Sequence, residues 1–160
     1  MSASPVGDNL AQNLAVATAM VAITVLIHFW GLLTLAHLMN RGGARFRPHE
    51  TRFGQAGLVL FVVFGVIGLH TVEVWLYAAL YLLLGEARAL EEAVYFSTVT
   101  FMSLGYGDIV LSPRWRLVSA IEAANGVILV AWSTAFFISV ATRMRLMDQD
   151  WLDPPPPGAR

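Results

Sequence analysis

Three stretches of this chain carry no formally charged residue, and each is long enough to cross a lipid bilayer. Between Asp8 and Arg41 lie 32 such residues, between Arg52 and Glu73 another 20, and between Glu122 and Arg143 a further 20. A helix needs roughly 20 predominantly apolar residues to span the hydrocarbon core. Three spans are therefore predicted, over about Leu14–Met39, Gly54–Leu84 and Trp115–Thr142. Charged residues make up only 13% of the chain, about half the roughly 25% of a soluble domain, so a water-soluble body of this size is excluded. The first stretch is no signal peptide, because it lacks a basic flank and exceeds the about 7–15 residues of a signal core.

Charge placement sets the expected topology. Arg41, Arg45, Arg47 and Arg52 crowd the first connection, which the positive-inside rule places in the cytoplasm, with the N-terminus outside. Arg143 and Arg145 follow the third span and fit a cytoplasmic C-terminus. Trp75, Tyr77 and Tyr81 read as an aromatic belt at the outer end of the second span. The chain then divides into 1–53, an extra transmembrane helix with an Arg-rich loop; 54–146, the main membrane unit; and 147–160, a Pro-rich cytoplasmic tail with no room for a ligand-binding domain. All ten basic residues are arginine at a net charge of −1, so no basic face for nucleic acid is expected. Cysteine is absent, which excludes disulfides and thiolate metal sites.

The segment from Gly85 to Arg114 starts and ends outside. Within it Leu90–Met102 reads as one short helix with Glu91 and Glu92 in its first turn, where acids favour the helix dipole. It is too short to span, so it must dip in and return. The return is Ser103-Leu104-Gly105-Tyr106-Gly107-Asp108. Irregular backbone at membrane depth survives only where protein buries it or it lines a watery cavity, a condition that a re-entrant pore loop meets. One such loop supplies only part of a ring.

Thr100-Phe101-Met102-Ser103-Leu104-Gly105-Tyr106-Gly107-Asp108 resembles the signature Thr-x-x-Thr-x-Gly-Tyr-Gly-Asp of the potassium-channel superfamily, as in its bacterial pore domains with a Gly-Tyr-Gly filter. The resemblance covers about Gly54 to Met144 and implies an outer helix (54–84), a pore helix (90–102), a filter (103–108) and an inner helix (115–142). It further implies a homotetramer that conducts K+ through carbonyls of Ser103, Leu104, Gly105, Tyr106 and Gly107, with Asp108 at the outer mouth and Ile128, Ala131, Ala135 and Ser139 lining the cavity. Independently of the name, carbonyls stacked along an axis can replace the water of a monovalent cation. Gly105 and Gly107 permit the positive φ that such a stack requires. Tyr106 is expected to point off the axis, braced by Tyr95 and Phe96. Ser103 and Leu104 stand where Thr and Val are usual, so a weakly selective monovalent cation channel is the alternative. Val99 is apolar where some members carry a carboxylate, and a different brace is needed.

Ionisable groups inside spans are functional candidates by default. His70 and Glu73 share a helix face, and Glu73 and Glu122 lie at similar depth, so His70 and Glu122 are the available partners of Glu73, and a close approach of the two carboxyls would leave a shared proton. Glu122 is half a turn round from Ala131 and faces away from the cavity. It reads as a buttress, a proton-sensitive gate or, if turned inward, a cation-attracting ring. Gly126 is either a hinge or a close-packing position; Gly65 and Gly68 read as packing positions, and Asp108 as an acidic ring or a local brace. His28 and His37 are half a turn apart, so no joint metal site is expected. Trp30 and Trp132 read as lipid or helix contacts.

The expectation is thus an all-α integral membrane protein of the inner membrane, with three transmembrane helices, a re-entrant pore helix and a filter loop. Its partners are a second to fourth copy of itself, lipid and monovalent cations. It is not an enzyme, and K+ in the filter is its only bound ion. No Arg or Lys lies on the first span, so that span is no voltage sensor. A rival from another class, a metal transporter using His28, His37, His70 and Glu73, leaves Gly105-Tyr106-Gly107 unexplained.

Overall fold

The computed structural model describes residues 5–46 and 52–143. Four helices occur in chain order: α1, Pro5–Phe46; α2, Arg52–Leu83; α3, Leu90–Phe101; and α4, Arg116–Arg143. No strand occurs among the described residues. Asn9–Arg41, Phe53–Leu83 and Arg116–Arg143 are each long and apolar enough to cross a membrane. The short α3 is not.

The helices close into a ring in which α1 packs on α2 and α4, and α3 packs on the same pair from the other side. Two apolar clusters hold the ring. One joins Ala17, Val74, Tyr77, Tyr81, Phe96, Phe101 and Leu129; the other joins Leu35, Val62 and Val140 nearer the opposite end. Hydrophobic burial does little to hold helices together in lipid, so close fit and internal hydrogen bonds must do so. The α1–α2 seam shows the fit: a Cβ on Gly31 would strike the Leu69 side chain, and one on Gly65 would strike Leu35. Each leucine fills the notch left by the glycine of the other helix. Gly68, read from the sequence as a packing position, has open space beside it.

Two sequence expectations are corrected. Asn40-Arg41-Gly42-Gly43 does not close the first helix, which runs on to Phe46. A glycine costs only about 1 kcal/mol in a helix interior, so Gly42-Gly43 does not end it. Tyr77 and Tyr81 form no lipid-facing belt: both are fully buried, while Trp75 is half exposed. Their hydroxyls find partners inside the ring. Arg47, Arg145 and the tail 147–160 lie outside the described residues.

Candidate functional site

The α3 helix starts without a side-chain cap at Ala89, and Glu92 reaches back to accept from the Arg88 backbone N–H at 2.9 Å. Glu86 fixes the other end of the outer connection, accepting from Ser112 N and Ser112 Oγ, both at 2.7 Å. Between these anchors the chain turns directly from the C-terminus of α3 into the return segment. Leu104 N donates to the Val99 carbonyl at 2.9 Å and Ser103 N to that of Thr100 at 2.8 Å.

Ser103, Gly105 and Gly107 have φ of 56°, 56° and 77°. Leu104, Tyr106 and Asp108 do not enter the positive-φ region. The backbone therefore alternates left- and right-handed over six residues, the pattern that lets successive peptide carbonyls face one way. Only the two glycines were legible as left-handed positions; Ser103 extends the alternation by one step. Its hydroxyl lies 3.3 Å from the Ala123 carbonyl on α4.

Residues 102–108 are all exposed on the single chain, with Tyr106 67% accessible. The expected braces differ in detail. Phe96 turns into the core, edge-on to Tyr81 with ring centroids 5.2 Å apart. Tyr95 donates its hydroxyl to Asp108 Oδ2 at 2.7 Å, linking α3 to the end of the return segment. This bond holds the Asp108 carboxyl below its ordinary range and pushes the Tyr95 hydroxyl up.

Behind α3 lies a buried polar network. Glu122 accepts from Ser97 Oγ at 2.5 Å and from the Tyr81 hydroxyl, tying α4 to α3 and α2. Asn125 donates to Thr24 Oγ1 at 2.8 Å and to the Tyr77 hydroxyl at 3.3 Å. Glu73 receives two imidazoles, His28 Nδ1 at Oε1 and His70 Nδ1 at Oε2, both at 2.8 Å. Ser133 Oγ lies 3.1 Å from His70 Nε2 and 3.4 Å from His28 Nε2. Of the two partners open to Glu73, the structure brings His70 to it and leaves Glu122 with Tyr81 and Ser97, so the two carboxyls do not pair.

Gly126 sits where α4 crosses the end of α3, and a Cβ there would fall on the Phe101 carbonyl. The position is one of close packing. Ile128, Ala131, Ala135 and Ser139 are exposed on the chain, whereas Glu122, Asn125, Leu129 and Ser133 form the buried stripe of α4. His37 is exposed and far from the histidine pair in register, so His28 finds His70 rather than His37. Trp132 packs 5.2 Å from the His28 ring. Sequence reading missed Thr24, Ser97, Asn125 and Ser133, although polar residues three, four or eight apart in apolar spans are the signal of an internal polar seam.

Residues 69–143 match the family model described as an ion channel. No curated protein and no solved structure matches the chain. The matched stretch takes in the second half of α2, the whole of α3 and its return segment, and α4 to its last described residue. The protein is an all-helical, multi-pass membrane protein with an ion-channel domain, to which α1 adds a third span.

Proposed function

We propose that the protein is a potassium-selective channel, in which four copies surround one pore and K+ passes down its gradient through carbonyls of residues 103–107. The observation that carries this reading is the alternating backbone at Ser103, Gly105 and Gly107, placed at the C-terminus of a helix too short to span. Each chain presents one edge of such a filter. A closed cage of carbonyls needs four edges, which cyclic assembly supplies. The faces left open on one chain agree with this: the return segment, Val110, and the Ile128 side of α4 are exposed. In the inner membrane with the N-terminus outside, the filter faces the outer side and the α3 C-terminus, partly negative, points toward the cavity.

The second reading is a channel that discriminates K+ from Na+ weakly. Ser103 Oγ approaches the Ala123 carbonyl, and a hydroxyl turned toward α4 contributes less to an innermost ion site. Purified protein in liposomes under opposed K+ and Na+ gradients decides between them. Strong K+ preference supports the first reading, comparable fluxes the second, and no flux from tetramers removes both. Cross-linking in lipid nanodiscs checks the count of chains; a monomer or trimer rules out the cage.

A further inference from the structure

We propose that His28, His70 and Glu73 form a binding site for one divalent transition-metal ion of the zinc class, held as a fixed clasp between α1 and α2 and not conducted. The site stands apart from the conduction reading, since it needs only the fold. One donor atom from each of the three residues lies within 4.8 Å of the others. Glu73 and His28 side chains are fully buried, and that of His70 is 16% exposed.

The chemistry of the donors selects the ion. Two imidazole nitrogens and one carboxylate oxygen suit zinc and its neighbours, with the fourth position open; calcium and magnesium demand six or more oxygens. Charge points the same way. The buried polar residues among those described include two carboxylates, Glu73 and Glu122, and no Arg or Lys. A cation bound beside Glu73 therefore meets a buried carboxylate with no Arg or Lys among the described buried residues to compete for it.

Hydrogen counting supplies a further argument. Without a cation, each neutral imidazole spends its one N–H on Glu73 through Nδ1, leaving both Nε2 atoms as bare acceptors. Both face one hydroxyl, Ser133, which has a single proton to give. With a cation on the two Nδ1 atoms the ring protons move to Nε2, and the two lone pairs of Ser133 Oγ accept both. Ligating imidazoles are held in this way by an outer acceptor as a rule. A tetrahedral zinc site has donor–donor edges of about 3.4 Å, and the three residues bring one donor atom each within 4.8 Å of the others, so the donors close in on the ion by local side-chain adjustment. A hollow of about 260 Å³ beside His70 and Ser133, bordered by Val63, Ile67 and Met102, gives an approach.

One added proton, making one ring an imidazolium, closes the same count, and the experiment must separate the two. Full-length protein in detergent is stripped with a chelator, loaded with Zn2+, freed of excess ion and analysed by mass spectrometry. The expected result is about one zinc per chain in wild type and in His37→Gln, falling below about a tenth in His28→Gln/His70→Gln. Ser133→Ala weakens binding by roughly tenfold. Folded wild type without zinc, or undiminished binding in the double variant, overturns the proposal, and the first outcome assigns the cluster a proton. X-ray absorption of the Zn-loaded wild type decides without any variant: two imidazoles and a carboxylate are expected, and an all-oxygen shell overturns the site.

Discussion

Ser97 on the short helix and Glu122 on the third span meet at 2.5 Å, both without solvent access. Ser97 Oγ also lies 3.0 Å from the Val74 carbonyl, so one side chain fastens α3 to α2 and α4 together. The short helix α3 is thereby held by a buried carboxyl of α4. Glu122→Ala leaves the Tyr81 hydroxyl buried without its acceptor, at about 1–3 kcal/mol, while Ser97 keeps the Val74 carbonyl. Thermal unfolding in detergent should show a loss of about 1–3 kcal/mol, and a smaller loss in Glu122→Gln, which keeps an acceptor. Full stability of the alanine variant would remove Glu122 as a buttress.

Gly126 and Gly68 make a matched pair of substitutions. Alanine at Gly126 pushes on the Phe101 carbonyl, the last residue of α3, while alanine at Gly68 enters open space. Overpacking costs roughly 1–3 kcal/mol and shifts backbone. Gly126→Ala should therefore lower thermal stability and disturb ion selectivity, and Gly68→Ala should leave both unchanged. If Gly126→Ala keeps stability and selectivity but changes opening alone, the position is a hinge after all.

Gly105→Ala tests the alternation directly. At φ 56° an alanine is strained by about 1–3 kcal/mol, and escape means rotating the peptide whose carbonyl faces the axis. Liposome flux of K+ should be lost while the protein still inserts and assembles. Wild-type flux in this variant would show that the return segment is no filter.

Much of this arrangement could be read in advance because the bilayer restricts the choices so severely. Uncharged runs, arginine placement and a helix too short to span left a re-entrant turn as the remaining possibility. What could not be read is which polar side chains meet across the ring. Glu73 and His28 are 45 residues apart and Asn125 and Thr24 are 101 apart; helical periodicity gives each residue a face but not the rotation of one helix against another. The same ignorance made Tyr77 and Tyr81 look like interfacial anchors. Their neighbour Trp75 does face outward, and only packing distinguishes the three. The positive φ of Ser103 was not legible, because a non-glycine residue in that region is uncommon and has no residue-type signal.

The contact between Tyr95 and Asp108 predicts how the outer mouth responds to acid. The Tyr95 hydroxyl donates to Asp108 and lowers its carboxyl from an ordinary value of 3.8. With a depressed value in the folded protein, the contact acts fully at neutral pH and is lost as pH falls through the lowered value. In a tetramer four Asp108 carboxylates would attract cations to the mouth. Tyr95→Phe removes the donor, so Asp108 should take up its proton at a higher pH than in wild type. Potassium flux measured against outer pH from about 3 to 7 should decline at a higher pH in Tyr95→Phe than in wild type. Selectivity at neutral pH should be retained, because the backbone of 103–105 is held by its own bonds to α3. Coincident pH profiles would show that the hydroxyl does not tune the Asp108 charge, leaving the contact a steric one.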